Sequence, residues 1–250
     1  MHCLHSSNAL MHSGRGEWRR AERRSQGGTT VRDGVVGTDG AGHQVSGEPA
    51  GPGGARVEAF SDAIIAIAAT LLVIELAVPA AGADVGHALR EEVPAFLTYA
   101  VSFLTILIFW VNHHALFGLI RQVDRPLLFL NGLVLLGISF ISYPTATLGR
   151  ALQGGVHDRA AAVFYAAALC GTASAFTGIW CYLRARPHLL REAARGGVRG
   201  ALRRSLAGPT AYAIAIVVGA VHAAAGLAVC ALVAVYFTLA PRGLGRGGAA

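Results

Sequence analysis

An aspartate within a run of apolar residues long enough to cross a bilayer is costly, and Asp62 is such a residue. It lies in RVEAFSDAIIAIAATLLVIELAV, residues 56–78, where no other charge falls between Glu58 and Glu75. At 1.5 Å per residue, 57–78 extends roughly 33 Å, the thickness of a hydrocarbon core. An ionisable group at that depth needs a partner and marks a candidate functional site. Arg56 is six residues away, about 240° around a helix, so it does not form an i, i+4 pair with Asp62. Partners must come from other segments: Trp110, Asn112, His113 and His114 in FWVNHH, and Asn131 in LLFLNGL. Asn and His within spans hydrogen-bond across helices. A cluster of Ser61, Asp62, Trp110, His114 and Asn131 near one membrane face, acting as a structural hydrogen-bond network, is the expectation. No metal site is expected, because adjacent histidines such as His113 and His114 point about 100° apart and there is no HExxH or Cys/His spacing. A proton relay through Asp62 and His114 remains open.

The same helix carries a second pattern. Phe60, Ile67 and Ile74 recur every seven residues, with Ala63, Thr70 and Leu71 on the same side. Such a stripe serves ordinary helix packing. Repeated around the axis of a symmetric oligomer, it could instead line a pore, with bulky rings forming a constriction able to gate by dewetting. Thr70 is the one hydroxyl on it that could meet a cation. Glu75, near the other end, could draw cations to a mouth or be a solvated interfacial acid.

These residues require helices to position them, and the composition supplies them. Of 250 residues, 54% are hydrophobic and 14% charged, far fewer charges than a soluble domain carries. Six apolar segments are predicted, at about 57–78, 94–120, 126–148, 159–183, 205–220 and 222–240. The last two are separated within a longer block near 219–223. Pro126 suits a first helical turn, Pro144 a kink, and His222 is a lone polar residue on an apolar face. The runs are continuous, with no period-two alternation, so a β-barrel is excluded. All 21 basic residues are Arg. They concentrate before the first segment, after the second (Arg121, Arg125), after the fourth (seven between 184 and 204) and at the C-terminus (Arg242, Arg246). With six spans these positions all fall on one side, predicting cytoplasmic termini. The net charge of +7 is therefore topological rather than a sign of nucleic-acid binding.

Residues 1–55, rich in Gly, Ser, Arg and His, read as a disordered cytoplasmic tail or a start placed too far upstream. They contain no apolar core of signal-peptide length. Residues 241–250 read as a short cytoplasmic C-terminal tail. Cys170, Cys181 and Cys230 lie in apolar segments as small buried side chains. There is no P-loop, dinucleotide fingerprint, nucleophile elbow or TVGYG filter, so no catalytic residue is assigned and no enzyme is predicted.

At these motifs the chain resembles the bacterial members of the lysosomal potassium channel family, transmembrane protein 175. The resemblance rests on R-x3-FSDA and the TLL-x-IEL helix over 56–76, on FW-x2-HH-x2-F over 109–117, and on D-x3-LLFLN over 124–131. It implies an all-α homotetramer of six-helix subunits in a bacterial inner membrane, residues 56–240 forming the channel domain. The first helix of each subunit would line a pore with no carbonyl filter. Ile67 would form the constriction, Thr70 and Leu71 would follow about a turn further, and Ile74 would lie towards the outside. Phe60, Ser61 and Asp62 would form a packing and hydrogen-bond hub, with Arg56, His114 and Asn131 as its partners. The implied partners are other copies of the chain and membrane lipids. No cofactor is implied beyond the permeant potassium ion, which such members favour only moderately. The expected function is a potassium-permeable leak channel. A proton-coupled transporter using Asp62 and His114, or a non-conducting membrane scaffold, are the alternatives.

Overall fold

Helices stop where proline, glycine or a capping aspartate interrupts the apolar runs. The computed structural model describes residues 52–79, 81, 82, 84–153 and 158–239. Its helices are α1 (Pro52–Leu71), α2 (Val85–Glu91), α3 (Val93–Phe117), α4 (Arg125–Phe140), α5 (Ser142–Gln153), α6 (Arg159–Ala185), α7 (Glu192–Arg195), α8 (Val198–Val221) and α9 (Ala223–Leu239). A 3₁₀ turn, Leu72–Glu75, continues α1. Asp84, Asp124 and Asp158 each cap a following helix with a carboxylate oxygen, accepting for instance from the Leu127 N–H at 3.0 Å. Five segments are long and apolar enough to cross a membrane: Gly53–Glu75, Val93–Phe117, Arg125–Gln153, Arg159–Ala185 and Val198–Val221. Ala223–Leu239 is a shorter sixth. They are called spans one to six below. The protein is an all-α, multi-pass membrane protein.

The first helix begins at Pro52, before the expected edge at residue 56, while residues 1–51 and 240–250, which hold the expected tails, lie outside the described residues. Span three is two helices, α4 and α5, joined at Ile141. Pro144 explains the joint: with no N–H it leaves the Phe140 carbonyl without its helical donor. Spans five and six divide at His222, whose ring Nδ1 accepts from the Ala225 N–H at 3.3 Å, so this histidine caps the turn. Their crossing is tight, since a Cβ on Gly226 would lie 2.7 Å from the Gly219 Cα. Span five also starts earlier than expected. The Arg-rich stretch is helical from Val198, because Val198, Ala201 and Leu202 are buried while Arg199, Arg203 and Arg204 remain exposed.

Span four is the centre of the bundle, with α6 packing on α4, α5, α8 and α9. Its buried Tyr165 meets Ser102 of α3 at 2.8 Å, and Thr145 of α5 donates to Ser102 at 2.8 Å, so the polar groups at this level satisfy one another. The loops after α3 and α6 are clasped by backbone hydrogen bonds. Arg121 N–H donates to the Leu189 carbonyl at 2.8 Å and Arg191 N–H to the Leu119 carbonyl at 3.0 Å, forming one isolated bridge, Ile120 to Leu190. The two Arg-rich loops therefore lie on the same side. Beside them the Asp124 carboxyl is held below its ordinary value. Burial pushes it up, but the Tyr182 hydroxyl at 2.6 Å, the Leu127 N–H and the Arg186 charge outweigh burial.

Candidate pore helix and the buried hub behind it

Span one has two faces. Ser61, Ile65, Ala68 and Leu72, spaced by four, three and four residues, are buried against α3, α4 and α5. On the other side Phe60, Ala63, Ile67, Thr70, Leu71 and Ile74 are exposed, Ile67 at 58% and Ile74 at 71%. The seven-residue stripe is thus the face the subunit leaves uncovered. Its outer end departs from the expected α-period. The helix tightens to 3₁₀ at Leu72, where residues three apart eclipse, so Ile74 stands in line with Leu71. Thr70 donates its hydroxyl hydrogen to the Ile67 carbonyl at 2.9 Å, leaving the oxygen lone pairs on the exposed side. Glu75 is paired with Arg150 of α5 at 3.4 Å, which ties the outer end of span one to span three.

Behind the buried face lies a directed hydrogen-bond chain. Ser61 Oγ donates to the Val57 carbonyl at 2.8 Å and accepts from Asn131 Nδ2 at 2.9 Å. Asn131 Oδ1 meets His113 Nε2 at 2.8 Å. Because that amide oxygen can only accept, His113 is the donor and carries its proton on Nε2. The His113 ring stacks on Phe117 with centroids 4.4 Å apart. Ser61, His113 and Asn131 are buried, so leaving any one unpaired would cost more than a surface bond.

His114 is the histidine expected here, but its neighbour His113 occupies the chain. Successive helical residues point about 100° apart, and His113, not His114, continues the buried stripe of Ser102, Thr105, Ile106, Phe109 and Leu116. That stripe was the signal available in the sequence. His114 sits at the rim, its Nδ1 2.9 Å from Glu58 Oε1, and stacks on Trp110 with centroids 6.1 Å apart. Asp62 finds Trp110, which donates Nε1–H to Oδ1 at 3.0 Å. Two further expectations need correction. Phe60 is 63% exposed and lies outside the hub, since it and Ser61 cannot both face the bundle. Arg56 is exposed and, among the described residues, forms no ion pair or hydrogen bond with the hub, being a turn short of it. The sequence also gave no notice of Glu58, which the fold brings beside Asp62 and His114.

An all-α bundle of apolar spans, with an uncovered apolar helix tied by a buried polar chain, defines a multi-pass membrane protein. Residues 56–141 match the family described as endosomal/lysosomal potassium channel TMEM175. A protein named potassium channel from Streptomyces collinus is 38% identical over 185 residues, 73% of this chain and 90% of that one. The crystal structure of a lysosomal potassium-selective channel TMEM175 homologue from Chamaesiphon minutus superposes with a TM-score of 0.68 at 31% identity, covering 76% of this chain and 98% of that one. The protein named endosomal/lysosomal proton channel TMEM175 of Bos taurus is 44% identical over 91 residues, 32% of this chain and 19% of that protein. The chain belongs to the TMEM175 family.

Proposed function

We propose that the protein is a potassium-permeable cation channel, a homotetramer in a bacterial inner membrane with both termini cytoplasmic. Span one of each subunit lines the conduction path. One observation carries this reading: the apolar stripe of Phe60, Ile67, Leu71 and Ile74 is left exposed while the opposite face of the same helix is buried and hydrogen-bonded. An apolar face gains nothing by avoiding lipid, but four copies around an axis would form a narrow apolar ring in place of a carbonyl filter. Ile67 is the constriction in this reading. Thr70, its hydrogen already given to the Ile67 carbonyl, offers only lone pairs to a passing cation. The Streptomyces and Chamaesiphon relatives, named as a potassium channel and a potassium-selective channel, support the choice of ion.

The proton-coupled alternative has less to stand on. It would use Asp62 and His114, but Asp62 is hydrogen-bonded to the Trp110 indole and His114 to Glu58 at the rim. The buried chain behind them runs through the Asn131 amide rather than a carboxylate. The test is potassium efflux from proteoliposomes. Ile67→Ala and Ile67→Asn are expected to raise flux several-fold, with no requirement for an imposed proton gradient. Unchanged flux in both variants would remove Ile67 as the constriction. Flux that needs a proton gradient and uncouples on Asp62→Asn would make the protein a transporter. Absence of flux would leave a scaffold.

A further inference from the structure

Glu58 and Asp62 are one turn apart on α1, so two carboxylates share one edge of the helix, an arrangement that repels unless positive charge lies between them. No arginine forms an ion pair with either acid among the described residues. What the fold brings to that edge is the His114 imidazole from α3. One ligand atom from each of Glu58, Asp62 and His114 lies within 4.8 Å of the other two. Ligands about 2.1 Å from a tetrahedral zinc ion stand roughly 3.4 Å from one another, so small side-chain rotations close the set.

The ligands are also held from behind. Trp110 donates to Asp62 Oδ1 at 3.0 Å, fixing that carboxylate while leaving Oδ2 free. The same indole stacks on the His114 ring at 27°, which restricts the imidazole. Outer contacts of this kind orient metal ligands. The 63% exposed side chain of His114 gives an entry path from water.

We propose that Glu58, Asp62 and His114 form a binding site for a divalent transition-metal ion of the zinc class, bridging span one to span two. Adjacent histidines cannot chelate one ion, so His113 and His114 alone form no metal site. The third ligand is a glutamate one turn before Asp62. Two carboxylates balance a dication, and the imidazole selects against magnesium and calcium, which prefer oxygen. Three protein ligands leave a fourth position for water. The site is separate from the Ser61–Asn131–His113 chain, which offers no carboxylate.

The experiment measures binding, so its outcome does not depend on whether the chain conducts. The purified full-length protein in detergent is titrated with Zn²⁺, and with Co²⁺ to read ligand geometry from visible absorption. The wild type is expected to bind one equivalent per subunit that Glu58→Gln and His114→Ala lack, with affinity at least tenfold weaker in either variant. Trp110→Phe, which keeps all three ligands, is expected to weaken binding by about tenfold. A Glu58→Cys, His114→Cys double variant with native helical content is expected to regain a site that prefers Cd²⁺ and Zn²⁺, one equivalent beyond what the native cysteines of the wild type bind. Equal zinc stoichiometry in the wild type, Glu58→Gln and His114→Ala would overturn the proposal. So would a double-cysteine variant with native helical content that gains no Cd²⁺ affinity.

Discussion

Spans one and four are apolar helices of similar length, yet 22% of the apolar window of the first is buried and 50% of the fourth. Span four touches four neighbouring helices and buries a broad arc that includes Tyr165, Leu169, Thr177 and Trp180. Span one buries a single stripe and leaves its bulkiest side chains uncovered. Inside lipid this difference does not follow from hydrophobicity, because lipid and protein are equally apolar surroundings. It follows from what the polar residues do. Span four is held by close packing, whereas span one is held at its two ends, by Ser61 within the hub and by Glu75 with Arg150. A helix fixed in this way presents one side to the bundle and leaves the other uncovered.

Truncations on the two spans should have opposite consequences. The largest stability loss is expected from Leu169→Ala, a fully buried position on span four, at about 2–5 kcal/mol in detergent unfolding. Ile67→Ala on span one should lower the thermal midpoint far less while changing ion flux several-fold. If Ile67→Ala destabilises the protein as much as Leu169→Ala, the stripe is a packing face and the contrast fails. Next comes Asn131→Ala, which strips Ser61 and His113 of a shared partner and should cost about 1–3 kcal/mol. A cost near zero would mean that span one is not held by the hub.

Smaller effects sharpen the comparison at the loops. Asp124→Ala removes a helix cap and should cost about 1 kcal/mol. The Asp124 carboxyl is lowered in the folded state, so its contribution is present above the ordinary value of 3.8 and is lost as pH falls through the folded value. The gap between wild type and Asp124→Ala should therefore be full at pH 7 and shrink only in acid below that value. The smallest effect is expected from Glu75→Gln. Its partner Arg150 is 74% exposed, and such pairs contribute about 0.2–1 kcal/mol. A loss of several kcal/mol would show that the outer end of span one is held more strongly than this exposed pair allows.

Much of this was legible in the sequence. The spans were, because runs of about twenty apolar residues broken by Pro, Gly or a capping Asp leave few alternatives. Though His222 itself was not marked as the break, a break near 219–223 and a joint near Pro144 were visible as well. The start of α8 was not, because hydropathy reads arginines as loop, whereas a helix needs only the stripe of Val198, Ala201 and Leu202 to dock. Ser61 and Asn131 were found as hub members by their polarity within apolar runs, and Trp110 as a partner of Asp62. The choice of His113 over His114 needed the phase of α3, which its buried stripe carries. The meeting of Glu58 with His114 could not be read at all. It depends on how far α1 is displaced along α3, which no period within either helix records.

The clasp between the loops after α3 and α6 includes backbone hydrogen bonds from the N–H groups of Arg121 and Arg191 to the Leu189 and Leu119 carbonyls. The donors and acceptors there are main-chain groups, so exchanging the exposed Arg121 side chain leaves its bond to Leu189 in place. Proline is barred at 121 and 191, since it brings no hydrogen to share.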